Sequence, residues 1–444
     1  MLDQSFSAKN FRTILDIENR KGVHLEDKLS MTKVRKINES IRDCNKDIRD
    51  AKKGKISLDV NKLYEKKKSL RKKKELELEA ELENISKQVT TKGFRIQLNK
   101  VTIPSKKPLY VTKNSPKFYF ALKQLQRNIS KLYGVKQSNR FNIISQLKII
   151  LDDKFPKFVI KTDLKNFYES IPHDRLLRII NEDNLLTPFS RNLLINLLNE
   201  YKRLSGNVKG IPRGIGVSAY LAELYMRDID EEIKNLSGVS YYSRFVDDIV
   251  IVFTPTPTEI SREYLKEVRN IVESQKYNLK LSPSSEKTDT FDLRYSKADC
   301  EMEYLGYKIR FGENELRTYL TDKKIEKYKS RLKLAFDHYK NLSKVDEKNA
   351  RKILVKRIRY ITGNTKLSNN KKNILVGIYY SNSQLTELDG LERLDLSLNA
   401  HIRSKVKNNR AIKRLSKYSF KKGFLNKRFS PFTPKDLKEI KSIW

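Results

Sequence analysis

Cysteine, histidine and long apolar runs are what this chain of 444 residues has least of. Its two cysteines, Cys44 and Cys300, supply neither a disulfide framework nor a cysteine-rich zinc site, and reduced thiols suit the cytoplasm. Of the four histidines, His24, His338 and His401 stand in no metal-ligand spacing, and His173, in Ile-Pro-His-Asp174, reads as part of a turn and helix cap. A continuous apolar span and an N-terminal signal pattern are both missing, which argues against a membrane partner. The glycine-rich stretch Gly210 to Gly216 lacks the Gly-Lys-Ser/Thr ending of a P-loop, so ATPase chemistry is disfavoured. Negative charge is short as well: 93 Lys and Arg face 54 Asp and Glu, a formal net charge of +39. Self-repulsion of that size asks for a polyanion. Nucleic acid is the natural one, with an acidic membrane surface as the rival.

What the chain does contain is enough apolar material, 38% of residues, for two or three cores, so a multidomain globular enzyme is expected. Residues 242–253, Tyr-Ser-Arg-Phe-Val-Asp-Asp-Ile-Val-Ile-Val-Phe, set Asp247 and Asp248 between two runs with the β-branched and aromatic character of paired strands. The acids belong at a hairpin tip, where adjacent like charges are costly unless a cation neutralises them; an ordinary exposed Asp-Asp turn is the competing reading. Lys157-Phe-Val-Ile-Lys-Thr-Asp163 adds a strand ending in a third carboxylate. Three carboxylates on one sheet edge suit hard divalent cations, Mg²⁺ above all, and a pair of such ions clamps the attacking and leaving oxygens of a phosphoryl transfer. Nucleotide polymerisation is chemistry of that kind.

Five segments, in order, resemble successive motifs of the reverse transcriptases: Asp163-Leu-Lys-Asn-Phe-Tyr168, Gly210-Ile-Pro-Arg-Gly214 running on to Tyr225, Phe245-Val-Asp-Asp248, Glu286-Lys287-Thr288 and Glu303-Tyr-Leu-Gly306-Tyr. The resemblance covers residues 157–309 and implies an α+β right-hand polymerase with fingers, palm and helical thumb. It implies that Asp163 and Asp247 bridge two Mg²⁺ ions, with Mn²⁺ as a substitute, and that Asp248 completes the field. The main-chain carbonyl of Leu164 would ligate the ion that travels with the triphosphate. Lys287 becomes a proton donor to pyrophosphate or a phosphate-positioning charge. Tyr168 falls where the family places the ring that blocks a ribose 2′-hydroxyl, a core tyrosine being the alternative. Tyr304, Leu305 and Gly306 correspond to the primer grip.

Two positions depart from the family pattern. Phe245 stands where Tyr is most frequent, which removes a hydroxyl and keeps an apolar ring. Arg213, ahead of Gly214, stands where many relatives have Gln, and a fixed cation there leaves nucleotide preference open. The opening segment Asp3 to Gly22, Phe-Tyr-Glu-Ser-Ile171 and Arg213 together are similar to bacterial antiphage defence-associated reverse transcriptases. That likeness implies a dedicated structured noncoding RNA as template or scaffold, dNTP substrates and a DNA product. In the two-polymerase type 3 systems of that branch it also implies a second reverse transcriptase subunit and a higher oligomer.

Four regions are expected. Residues 1–92 form an N-terminal helical region whose seam Val34, Ile37, Ile41, Cys44, Ile48 and second helix, Asp59 to Ser86, make a hairpin. Its centre, Lys66 to Lys74, is an RNA-binding arm or a solvated face. Residues 93–156 form the fingers, with strands Gly93 to Leu98 and Leu109 to Thr112, a basic turn Lys106-Lys107-Pro108 and a helix Ala121 to Leu132. Lys107, Arg127 and Arg140 are the nucleotide-binding candidates there. Residues 157–319 form the palm, with a helix Glu259 to Ser274, and residues 320–444 a helical basic thumb. In that last region Thr321 caps a helix, and Lys352, Lys356, Arg357 and Arg359 suit the holding of duplex phosphates, a solvated face being the rival reading. A cysteine-rich endonuclease module, an integrase-like extension and a second acidic constellation of ribonuclease H type are not evident. RNA-directed DNA synthesis is the leading reading; untemplated or protein-primed DNA synthesis and a silent RNA-binding scaffold stand beside it.

Overall fold

The computed structural model describes residues 2–21, 24–104, 107–256, 261–284, 286–294, 299–367 and 374–444. Lys106, Gly22 and Glu259 therefore lie outside the described residues. The chain opens with α1 (Ala8–Arg20), α2 (Leu25–Lys28), α3 (Thr32–Lys52) and α4 (Val60–Thr90), then β1 (Leu98–Val101), β2 (Leu109–Thr112), α5 (Pro116–Leu132) and α6 (Arg140–Asp152). Next come β3 (Phe158–Asp163), α7 (Phe167–Ser170), α8 (His173–Asp183), α9 (Pro188–Ser205), α10 (Gly216–Lys234), β4 (Val239–Phe245), β5 (Asp248–Phe253) and α11 (Tyr264–Glu273). Then follow β6 (Asp289–Asp292), β7 (Cys300–Tyr304), β8 (Tyr307–Phe311), β9 (Arg317–Leu320), α12 (Asp322–Leu342) and α13 (Glu347–Ile361). β10 (Asn364–Leu367), β11 (Ile374–Gly377), α14 (Asp389–Lys405), α15 (Asn409–Leu415), α16 (Phe420–Leu425) and α17 (Pro434–Lys441) close the chain. The class is α+β. Among the described residues no helix is long and apolar enough to cross a membrane.

Two compact units interleave along the sequence: Met1–Gln137, Lys165–Glu232 and Val268–Lys280 make the first, and Ser138–Leu164, Ile233–Glu267 and Leu281–Trp444 the second. In the first, α3 and α4 form the expected hairpin. Val34, Ile37, Cys44 and Ile48 are buried along α3, and Cys44 and Ile48 cluster with Leu63 of α4. Asp59 caps α4 by accepting from the Asn61 N–H, so this long helix starts at a defined point. The strand expected from Gly93 begins only at Leu98, because Gly93 turns the chain at φ +95° and Phe94 packs against Phe118 instead of entering a ladder. α5 starts at Pro116, five residues ahead of the expected Ala121, since proline is pre-set for a helix's first turn.

In the second unit an antiparallel sheet of order β4-β5-β3-β6 lies beside a three-stranded sheet β7-β8-β9. Val159, Val250 and Val252 of the first sheet share a core with Ile143, Ile144 and Leu147 of α6 and with Tyr304, Tyr307, Ile309 and Phe311. Thr321 caps α12 as expected, and Ile325, Leu332 and Ala335 bury one face against α13 and α14. α11 begins at Tyr264, later than the expected Glu259. The C-terminal region is not wholly helical: β10 and β11 pair within it. Gly377, at φ +138°, lets that ladder close, because a Cβ there would meet the Gly363 carbonyl oxygen at 2.3 Å.

Candidate active site

β3 and β5 are the central strands of their sheet, and Ile249 to Phe253 are all buried, as expected for a strand covered on both faces. Their antiparallel register sets Asp163 opposite Asp248. Phe245 pairs with Asp248 across the β4–β5 turn, so Val246 and Asp247 form the tip and Asp248 is the first residue of β5. Val246 has φ +63°, a left-handed conformation that costs a β-branched residue on the order of 1–2 kcal/mol. The surroundings hold it: buried Arg244 donates from Nη1 to the Val246 carbonyl at 3.0 Å, and the Leu164 N–H donates to the Asp247 carbonyl at 3.0 Å. Strain concentrated at the acid-bearing turn marks it as a place where geometry matters more than stability.

Asp163 is buried, and its two carboxylate oxygens accept from Ser282 Oγ at 2.8 Å and from Lys287 Nζ at 2.9 Å. Burial pushes the Asp248 carboxyl up to about 6, and the negative charges of Asp247 and then Asp163 push in the same direction. The hydrogen bond to Asp163 raises the Lys287 ammonium above its usual range. Three carboxylates therefore repel one another at one sheet edge, with Lys287 and, less strongly, Lys161 as partial counterions. Such an oxygen donor set fits a hard divalent cation. Among the described residues no three acidic, histidine or cysteine side chains form a ready metal cage. Ser282 and Lys287 each hold one Asp163 oxygen, so further ligands would come from the main chain, water or a phosphate.

Tyr304 ties the second hairpin to the first, its hydroxyl donating to the Asp248 main-chain carbonyl at 3.4 Å. Leu305 and Gly306, at φ +45° and +74°, make the two-residue β7–β8 turn. Arg140 opens α6 and lies over the Tyr307 ring, 5.0 Å from its centroid, and Lys324 Nζ lies 4.6 Å from the same centroid. Burial, with Arg140 nearby, lowers the Lys324 ammonium to about 7. Arg140, a nucleotide-binding candidate of the expected fingers, thus packs on the β7–β8 turn.

In the first unit, Tyr168, Glu169, Arg213 and Lys107 form a cluster of their own. The Arg213 guanidinium donates to both Glu169 oxygens, at 2.5 and 3.1 Å, and stacks 4.9 Å from the centre of the Tyr168 ring. Lys107 Nζ donates to Glu169 at 3.1 Å and to Asn166 Oδ1 at 2.7 Å. Burial raises the Glu169 carboxyl, but its hydrogen bonds and ion pairs with Arg213 and Lys107 together win and lower it. The glycine turn fits tightly: a Cβ on Gly214, at φ +97°, would meet the Tyr110 carbonyl oxygen at 2.7 Å, and the Tyr110 N–H donates to the Arg213 carbonyl at 2.7 Å. His173, expected in a turn and helix cap, is instead the first residue of α8, with Pro172 at the cap position, and its Nε2 meets the Gly210 carbonyl at 2.5 Å, a structural bond. Arg127 donates to Asn10 Oδ1 at 3.1 Å, so it serves the N-terminal segment and not this cluster. Two residues of these sites are absent from the candidates that sequence alone supplies. Glu169 sits inside a family-like motif without a role of its own, and Ser282, a serine among Leu-Ser-Pro-Ser-Ser, carries no signal.

Strand, acid turn and lysine thus lie together at one sheet edge. Residues 106–309 match the family model of the reverse transcriptase (RNA-dependent DNA polymerase). Residues 106–309, a little under half of the chain, thus carry the likeness to a reverse transcriptase domain, in a chain of mixed helices and strands. A segment of 83 residues, 18% of this chain, is 32% identical to an uncharacterized 91 kDa protein in a cob intron of Schizosaccharomyces pombe, of which it covers 10%. Apo telomerase from Candida tropicalis overlaps 79% of this chain and 61% of its own at 15% identity and a TM-score of 0.42. Telomerase from Candida albicans with a TWJ fragment of telomeric RNA overlaps 78% and 61% at 12% identity and a TM-score of 0.35. The chain thus spans less than two thirds of each of these proteins.

Proposed function

We propose that this protein is an RNA-directed DNA polymerase that extends a primer with dNTPs by a two-metal mechanism, Mg²⁺ serving and Mn²⁺ able to replace it. The observation that carries the reading is the convergence of Asp163, Asp247 and Asp248 at one sheet edge of a protein that otherwise bears +39 charge. A binding scaffold for a polyanion has no use for concentrated negative charge there. Asp163, Asp247 and Asp248, with the Leu164 carbonyl, are the groups to hold the ions. When bound, the ions supply the positive charge that acidifies a primer 3′-hydroxyl and stabilises charge on the transferring phosphoryl group. Ser282 and Lys287 orient the Asp163 carboxylate. The raised Lys287 ammonium keeps its proton at neutral pH, which favours positioning a phosphate over donating a proton to pyrophosphate. Tyr168, half-buried under the Arg213 guanidinium, is the ring proposed to stand against a ribose 2′-hydroxyl, and Tyr304, Leu305 and Gly306 the primer grip.

The finer reading places the enzyme in bacterial antiphage defence, with a dedicated structured noncoding RNA as template or scaffold and a second reverse transcriptase as partner. It is supported by the N-terminal and Phe-Tyr-Glu-Ser-Ile171 sequences and by the excess of basic charge. Asp247→Asn or Asp163→Asn should reduce nucleotide incorporation by at least about 10³-fold, on the order expected for loss of a main electrostatic contribution, while RNA retention stays near wild type. Incorporation by purified Asp247→Asn protein at near the wild-type rate in Mg²⁺ would sink the assignment.

A further inference from the structure

We infer that Thr288, with Thr162 behind it, is a positioning residue for the Asp163 carboxylate, because it closes the neck of the loop that delivers Ser282 and Lys287 to that carboxylate. The loop is an excursion from the edge of β3. Leu281 bridges Leu164, and the Ser282 N–H donates to the Asp163 carbonyl at 2.8 Å, so the chain is paired with β3 as it leaves. It is paired again on its return, where Asp289, the first residue of β6, stands opposite Lys161. Between those points the Glu286 and Lys287 N–H groups donate back to the Pro283 carbonyl at 3.0 and 3.2 Å.

Side chains hold the neck shut. Thr288 Oγ1 donates to the Ser282 main-chain carbonyl at 2.5 Å, and Thr162 Oγ1 lies 2.7 Å from Thr288 Oγ1. A hydroxyl has one proton to give, and that of Thr288 goes to Ser282, so Thr162 is the donor within the threonine pair. Thr162, Ser282 and Thr288 are all buried, where a lost partner is not replaced by bulk water.

The neck reaches Asp163 by two routes. Ser282, on one side of it, gives its hydroxyl to Oδ1 at 2.8 Å, and Lys287, adjacent to Thr288 on the other side, gives its ammonium to Oδ2 at 2.9 Å. A neck that opens therefore loosens both oxygens of the carboxylate at once. Groups that orient a metal-binding carboxylate contribute roughly 10–100-fold in metal affinity or activity. This role rests on Asp163 being a ligand of the divalent ions, as proposed above, and extends that proposal to two threonines that touch neither ion nor substrate.

The test titrates Mn²⁺ into full-length protein holding a dideoxy-ended primer on RNA and the matching dNTP, so that ions bind and no bond forms, with bound Mn²⁺ followed by paramagnetic resonance. Thr288→Val keeps the shape and removes the hydroxyl. It should weaken Mn²⁺ binding about tenfold and, with an extendable primer, lower kcat for single-nucleotide addition by a similar factor, while KM for the primed RNA moves less than about twofold. Thr288→Ser restores the hydroxyl and should return both quantities to within about threefold of wild type. Thr162→Val leaves the bond from Thr288 to Ser282 in place and should shift both in the same direction by a smaller factor; it carries the test if thermal unfolding shows that Thr288→Val has lost its fold. Unchanged Mn²⁺ affinity in a folded Thr288→Val protein, or an equal loss in Thr288→Ser, would overturn the assignment. Asp163→Asn tells the two possible failures apart. If it binds Mn²⁺ as wild type does, the metal role of Asp163 fails and this role with it; if it loses Mn²⁺ while Thr288→Val and Thr162→Val do not, the neck alone fails.

Discussion

Arg213 is the residue whose charge leaves nucleotide preference open in the sequence, and its surroundings narrow the question. Its guanidinium is held by both oxygens of Glu169 and lies flat on Tyr168, so its charge is largely spent inside the cluster and its plane orients the ring. Tyr168→Val should raise the ratio of kcat/KM for ribonucleotides over deoxyribonucleotides by at least about tenfold, because a steric block depends on the ring itself. Glu169→Gln, which weakens the clamp without emptying the space, should shift the same ratio in the same direction by a smaller factor. Single-nucleotide addition with each sugar measures both. An unchanged ratio in the valine variant would make Tyr168 a packing residue. At this scale the sequence announces the acids, since Asp247 and Asp248 stand alone between apolar runs. It cannot announce Ser282 or the Glu169 clamp, whose partners lie 119 and 44 positions away.

Among the elements, the α3–α4 hairpin is legible because its seam repeats at alternating three- and four-residue steps. Its lysine-rich centre is largely exposed, whereas Leu78, Leu82, Ile85 and Val89 further along α4 are buried. Removing residues 29–87 would therefore take core with it. Neutralising exposed Lys66, Lys68, Lys72 and Lys73 to Gln is the cleaner change. It should weaken binding to structured RNA several-fold more than it slows extension of a preannealed primer, with thermal unfolding unchanged. Equal effects on both would reduce the hairpin to a solvated face. β10 and β11 escape the sequence because two four-residue strands flanked by basic helices carry too little period to read. Gly93 misleads for a different reason: alternation in Phe-Arg-Ile-Gln-Leu looks like a strand, yet Phe94 finds an aromatic partner first.

For the whole molecule, composition already points to a polyanion, and the order of five motifs points to the polymerase; neither reveals how the chain interleaves into two units. That interleaving follows from long-range pairings such as β3 with β5 and β6, which no local pattern encodes. The central claim is template-directed DNA synthesis at the Asp163, Asp247 and Asp248 edge. Its most direct measurement is the sequence of the product made by purified protein on a defined primed RNA in Mg²⁺, with deoxyribonucleotides or ribonucleotides supplied separately. The account predicts a DNA strand complementary to the RNA, made only from deoxyribonucleotides and absent with Asp247→Asn. A product unrelated to the template, an RNA product, or the same DNA from the Asp247→Asn protein would contradict it.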